Sequence, residues 1–326
     1  MIGTEHQATH GHLNLFSRHW IAQQRQQRAT NPLRTHATLL REQWRDLDTM
    51  LLGVADRYMA GVSDLRDRGL THTVGSIGFA ASQYNTVGEM EPAMVDMDPS
   101  ASGSNQRLAV SPHLVPLPFV FEDYHFNAAE LAASQQLGMS LDTTHAEEAM
   151  RKVMEGFETI LFNGTTVGTY QANQVYGYRT HPQRKTGSAT SWGTPTNIYP
   201  TVLAMFTDML AMRRQGPYVM YMNIAQWGEM HAEKGVDANW NYLRWVSESF
   251  PSIVAFKPTF AVPEGELLLV EMTSRTVDLA VKMEPGNIPW EEMGGLAEHV
   301  RVMGSLTPRI KVDGENLTGV VHYVGA

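Results

Sequence analysis

Apolar residues recur at helical spacing in three stretches of the chain. Across 37–60, Leu39, Leu40, Trp44, Leu47, Met50, Leu51 and Val54 fall three and four residues apart, which predicts an amphipathic helix that Gly61 can end. The clearest pattern is LDTTHAEEAMRKVMEGFETILFNG. Ala146, Ala149, Met150, Val153, Phe157, Ile160 and Leu161 mark one apolar stripe. Asp142, Thr143 and Thr144 are cap candidates, Thr144 and Glu147 have the reciprocal capping spacing, and Asn163-Gly164 supplies a left-handed stop. A helix over 143–163 is expected, roughly 30 Å long at the usual rise. The third stretch runs from Asn197 to Arg214, with Val202, Leu203, Phe206, Met209 and Leu210 on one side.

Elsewhere the pattern favours strands. Gly61, Gly69, Gly75 and Gly78 make 61–80 loop or strand territory. From 72 to 126 two arms, THTVGSIGFAASQYNTVGEM and LAVSPHLVPLPFVFEDYHF, flank the turn-rich DMDPSASGSNQR, which reads as a long two-stranded excursion. Long excursions are usually functional or disordered, and the aromatic and β-branched residues here predict ordered strands that seek an external partner; the bland alternative is a hairpin folded onto its own domain. Residues 165–195 read as strands and loops. PYVMYMN, SIVAFKPTF, ELLLVEM and TVDLAVKM are strands, the segment around IAQWGEMHAEKG and NYLRWVSESF are short helices, and HVRVMGSLTPRIKVDGENLTGVVHYVG gives two or three strands with DGEN as a tight turn. The fold class is α+β, without βαβ repetition or a repeat period.

Charge sharpens this picture. The net charge is -9, yet Arg18, Arg25, Arg28, Arg34, Arg41 and Arg45 face only Glu5 and Glu42 early in the chain. A basic arm on an acidic body suits contact with nucleic acid or an acidic neighbour, or is a solvated polar tail. Charged residues are 18% of the chain, below the usual ~25%, which hints at surface that faces other protein. There is no cysteine, which excludes disulfides and thiolate chemistry. No apolar run approaches the ~18–20 residues of a membrane span, and the N-terminus lacks the order of a secretion signal, so a soluble intracellular product is expected.

Chemistry-bearing motifs are missing from the sequence: no P-loop, dinucleotide fingerprint, HExxH helix or GxSxG elbow. His6, His10 and His12 cluster in the polar arm without fixed carboxylates beside them. The acids beside His145, Glu147 and Glu148, suit a helix start. Glu155 and Glu158 read as a solvated or interface face rather than an acid/base pair. The expectation is therefore no catalytic, cofactor-binding or metal-ligating residue, no cofactor and no enzyme activity.

From about 107 to 164 the sequence resembles the Hong Kong 97-type major capsid proteins of tailed bacteriophages and their relatives, the encapsulins. HLVPLPFVFEDYHFN is similar to the returning strand of that family's extended loop, EGFETILFNG to the close of its spine helix, and GTYQANQVYGYRTHP to the segment after it. ELLLVEM, TVDLAVKM and the C-terminal strands are similar to its closing strands. The resemblance implies a layout: an N-terminal arm at 1–35, a helix and connector at 36–71, an extended β loop at 72–126 reaching over an adjacent subunit, a peripheral domain at 127–199 with the spine helix at 143–163, a mainly axial domain at 200–305, and closing strands at 306–326.

It also implies a function. The expected protein is a major capsid protein that self-assembles into hexamers and pentamers, forming an icosahedral head shell around double-stranded phage DNA. Its location would be the virion, with the host cytoplasm during assembly. Expected partners are other copies, a portal protein, a separate scaffolding protein, a decoration protein, and DNA on the inner face; no membrane is involved. The short arm without coiled-coil heptads suggests that no large scaffolding segment is cut from the chain. No Lys precedes Lys152, so an extended-loop Lys for covalent cross-linking is missing. The alternative within the resemblance is an encapsulin-like nanocompartment shell filled with an enzyme cargo; a remote alternative is a soluble hydrolase with an unrecognised site.

Overall fold

The computed structural model describes residues 41–88, 95, 97, 108–127, 143–233, 241–292 and 297–326. The expected arm at 1–35, with four of the six early arginines and the three clustered histidines, lies outside the described residues, as does the turn region 96–107 except Met97.

The first helix, α1 (Arg41–Tyr58), buries Leu47, Leu51 and Val54, as its spacing predicts. Gly61 does not end the helical run. The chain breaks at Met59 and restarts as α2 (Ala60–Asp67), where loop or strand was expected. The reason is tertiary. Gly61 has no Cβ, and one added there would come within 2.7 Å of the Leu161 side chain and 2.9 Å of Phe162. Glycine thus lets α2 press against the spine helix, α3 (Thr144–Asn163).

Every residue of the predicted stripe on α3 is buried, together with Met154 and Phe162. Gly164 caps it with φ 70°, and its N–H donates to the Ile160 carbonyl at 2.9 Å. The reciprocal capping pair does not form. Helical geometry starts at Thr144, so the cap position falls on Thr143, whose side chain makes no capping bond, and Ala146 rather than Glu147 occupies the third helical position.

Two sheets flank α3. One has the order β1-β11-β12-β4, from β1 (Thr71–Thr73), β4 (Val120–Asn127), β11 (Val277–Glu292) and β12 (Ala297–Ile310). Gly304 of β12 brings this sheet against the helix: a Cβ there would lie 2.9 Å from the Phe157 ring. The other sheet has the order β7-β13-β10-β8-β9, from β7 (Lys185–Ser188), β8 (Tyr218–Met222), β9 (Ile253–Pro258), β10 (Glu266–Glu271) and β13 (Val320–Val324). The β8–β9 pair is parallel, so 223–252 is a crossover carrying α5 (Ile224–Met230) and α6 (Tyr242–Ser249). Hydrophobic patterning found these helices but not the parallel pairing.

The five-stranded sheet separates two cores. Val219 and Tyr221 of β8 and Leu268 and Val270 of β10 face the core built on α1, α2 and α3. Their alternates Tyr218, Met220, Met222, Leu267 and Leu269 face a second core beneath α6 and α4 (Ile198–Ala211). A strand covered on both faces reads as an unbroken apolar run rather than an alternation, which is why YVMYM is buried at every position.

A buried polar joint ties the halves together. Glu158 of α3 accepts from the backbone N–H of Gly61 at 2.8 Å and of Val62 at 3.3 Å, satisfying the free donors at the start of α2. Thr259, just past β9, donates to it at 3.5 Å. One turn along α2, Asp64 accepts from the Tyr221 hydroxyl at 2.8 Å and pairs with Lys257 of β9 at 3.1 Å. Glu158 is therefore not on a solvated or interface face; it is 4% exposed. Glu155 stays near the surface, paired with Arg151 at 2.6 Å.

Burial raises the Glu158 carboxyl to about 7, against the opposing pull of its hydrogen bonds and Lys257. A folded value above the unfolded one means that the folded state holds the proton between about pH 4.5 and 7, so this group costs stability as pH rises through that window. Relative to Glu158→Gln, the wild-type subunit is expected to lose about 3 kcal/mol between pH 5 and 8, from the size of the shift. Urea unfolding midpoints of both proteins across that range check it; parallel pH profiles would show that Glu158 is not held as described.

Candidate functional site

The excursion read from sequence resolves into two parts. Only β2 (Ala81–Val87) and β3 (Val110–Pro116) form the two-stranded ribbon, in antiparallel register from Ala81↔Pro116 to Val87↔Val110. The continuation β4 turns away after Leu117 and pairs with β12 instead. The sequence shows no break here beyond Pro116 and Pro118, and proline marks strand ends weakly.

Alternation along β2 sorts its side chains. Ser82, Tyr84 and Thr86 point to the body, and Gln83, Asn85 and Val87 are exposed. The inward set is held by polar contacts. Arg309 of β12 grips both oxygens of its cross-strand partner Asp278 at 2.6 Å each, and donates from Nη1 to Ser82 at 2.9 Å. Lys311 adds a second cation to Asp278 at 2.6 Å. The Tyr84 hydroxyl donates to the Ile310 carbonyl at 3.2 Å and Thr86 to that of Val312 at 2.9 Å. Burial pushes the Tyr84 phenol up to about 12, so it stays a donor at any working pH. His113 of β3 stacks on Tyr84 with ring centres 5.1 Å apart.

On the other side of the ribbon Gln83, Asn85 and Val87 of β2 are exposed, with Val110 and Pro112 of β3 opposite them. From Gly69 to Gly88 and from Leu108 to Phe121 the chain contains no Asp, Glu, Lys or Arg. The same holds from Thr165 to Tyr178. That third segment carries the hairpin of β5 (Thr165–Tyr170) and β6 (Asn173–Val175), which packs beside β3. These three charge-free segments bear the exposed side chains of Ile77, Phe79, Val87, Val110, Val167 and Tyr170. Cations from neighbouring strands cover part of the second segment: Lys282 lies 4.1 Å above the Phe119 ring and Arg301 lies 4.7 Å from that of Phe121.

Exposed apolar side chains on charge-free segments suit protein contact, since interface centres are depleted in charge. Their chemical capacity is limited to burying area and completing a strand edge. Among the described residues no group of three or more His, Asp or Glu side chains is placed to hold a metal. His145 lies exposed at the start of α3. No helix among the described residues is long and apolar enough to cross a membrane.

Mixed sheets around a spine helix, with a ribbon tied to the body on one side only, define the Hong Kong 97-type shell fold. The chain belongs to the Linocin_M18 family, described as encapsulating protein for peroxidase, whose family model matches residues 30–284. Among solved structures it is similar to the virus-like particle from Pyrococcus furiosus, at 12% identity and TM-score 0.64, over 86% of this chain and 98% of that one. It is also similar to the capsid of Myoviridae phage XM1, at 12% identity and TM-score 0.59, over 82% and 92%. Microbacterium phage Oxtober96 matches at 9% identity and TM-score 0.56, over 79% and 90%. No curated protein matches the chain. The family is one of shell proteins rather than enzymes, and the chain is a shell-forming protein of that kind.

The clamp at the ribbon root gives a test. Arg309→Ala leaves Asp278 buried with Lys311 alone and Ser82 without its donor. Removing one partner of a buried pair costs about 3 kcal/mol or more, so the urea midpoint of the subunit should fall accordingly, with Lys152→Ala on the exposed face of α3 as the neutral control. A cost below about 0.5 kcal/mol, the range of ordinary surface substitutions, would show that the clamp does not hold the ribbon.

Proposed function

We propose that the chain is the major capsid protein of a tailed bacteriophage. Copies form hexamers and pentamers that close an icosahedral head around double-stranded DNA. The observation that carries the assembly half of this reading is the uncharged surface of ribbon and hairpin, which one copy leaves uncovered and a neighbour would bury. The DNA half is supported by the early arginines, four of them before residue 35. Each phosphate contact made by such a cation releases counterions, so the binding is non-specific and salt-dependent. In this reading residues 1–35 are an arm, 72–126 an extended loop, 127–199 a peripheral domain with the spine helix, 200–305 a mainly axial domain and 306–326 closing strands of the body. Portal, scaffolding and decoration proteins complete the set of partners, in the virion and, during assembly, in the host cytoplasm.

The family match favours a second reading, a nanocompartment shell enclosing a protein cargo. Both readings use the same subunit and differ in what lies inside. The contents of particles purified from the native source, after nuclease treatment of the outside, separate them. Protected DNA and a 260 nm-dominated absorbance support the head shell; a stoichiometric enzyme without nucleic acid supports the compartment.

Two variants test the parts. Replacing Arg18, Arg25, Arg28, Arg34, Arg41 and Arg45 with Gln should lower particle yield or DNA content while the circular dichroism of the subunit is unchanged; equal yield and DNA content would leave the arm a tail. Deleting 95–107 should leave a folded subunit that fails to close shells, and normal particles from it, seen by electron microscopy, would contradict the extended-loop assignment.

A further inference from the structure

The molecule has a second charge-free surface, on the half that the ribbon does not touch. Helix α4 buries Ile198, Thr201, Val202, Met205 and Met209 against the five-stranded sheet. Its opposite face exposes Pro200, Leu203, Ala204, Thr207, Leu210 and Ala211, with no charge among them. Leu203 and Leu210 are 43% and 49% exposed. Pro200, Leu203, Thr207 and Leu210 follow one another at spacings of three, four and three, the repeat of a helix seam that packs against another surface.

The other helices of eight or more residues mark the contrast. The exposed side of α3 carries Glu147, Glu148 and Lys152, that of α6 carries Arg244 and Glu248, that of α1 Arg45 and Asp46, and that of α2 Asp67. Those sides face water at no cost. An outer face of two leucines, a proline and two alanines is built instead for contact with protein.

We infer that the outer face of α4 is a contact between copies of this chain in the shell. The inference rests on the shell-forming reading and adds a second surface to it. A head-to-tail ring of identical subunits needs two different patches on every copy, one for each neighbour. The ribbon and hairpin supply one; α4, packed on β13 and α6 in the other half, supplies another. The polar leader is a poor occupant, because its arginines would lose their hydration against a face that offers them no partner. Another copy satisfies the absence of charge and the need for many modest contacts that together hold a shell.

The test compares the wild-type chain with Leu203→Glu/Leu210→Glu, and with Ser247→Glu on the exposed side of α6 as control. Wild type and control should form particles. The double variant should give a subunit with unchanged circular dichroism and a particle yield at least tenfold lower. Undiminished yield from the double variant would overturn the inference while leaving the shell reading intact; absence of particles from wild type would overturn both. Because the double variant could fail to fold, a benzophenone side chain at position 203 provides the second measurement. Irradiated particles should yield covalent dimers of this chain, and cross-links to another protein, or none, would overturn the inference.

Discussion

Two paired strands have no interior. A ribbon of that kind presents two faces and two edges, and alone in water it is marginal at best. In this chain one face is settled by the body: Ser82, Tyr84 and Thr86 meet Arg309 and the carbonyls of Ile310 and Val312. The other face is charge-free and exposes Val87 and Val110 beside the amides of Gln83 and Asn85. A monomer gains little from ordering such a surface, whereas in the proposed shell a neighbouring copy would gain the area it buried against it. In the proposed reading, assembly draws on that asymmetry more than on any single residue.

The rest of the architecture gives the ribbon a stiff mount. Helix α3 lies between two sheets, and a strand set buried on both faces divides the molecule into two cores. The halves are joined by polar groups as well as by packing. Glu158, fixed to the start of α2, and the Asp64–Tyr221–Lys257 cluster connect the spine helix to β8 and β9. At the far end of the spine, Arg179 holds Asn163 and grips both oxygens of Glu266, which also accepts from His322. The Arg184 side chain donates to Nδ1 of His322, which leaves Nε2 as the protonated nitrogen facing Glu266. Buried links of this kind are directional, so they set the relation of one half to the other where apolar contact alone would tolerate sliding.

Much of this was legible in the sequence where local physics decides. The stripe from Ala146 to Leu161 and the Asn163-Gly164 stop specified the spine helix, because periodicity and left-handed geometry act within one element. The α+β class and the ribbon were legible for the same reason. What stayed hidden depended on partners far away in sequence. Glu158 looks like one more acid on a charged helix; its burial comes from Gly61 and Val62, 97 and 96 residues earlier. Gly61 looks like a helix stop, yet it serves a close approach to Leu161 and Phe162. The division of β3 from β4 depends on β12, which no local signal announces. The charge-free surface could have been found by marking stretches without Asp, Glu, Lys or Arg, although nothing in the sequence says that these stretches meet in space.

Hydrogen exchange of the backbone amides in 81–87 and 110–116, compared between assembled particles and subunits dissociated from them, tests the account most directly. Burial of the uncharged ribbon face by a neighbour predicts slower exchange of these amides in the particle, while the core strand 218–222 is slow in both states. Equal exchange of the ribbon in the two states would contradict the claim that it is completed by another copy.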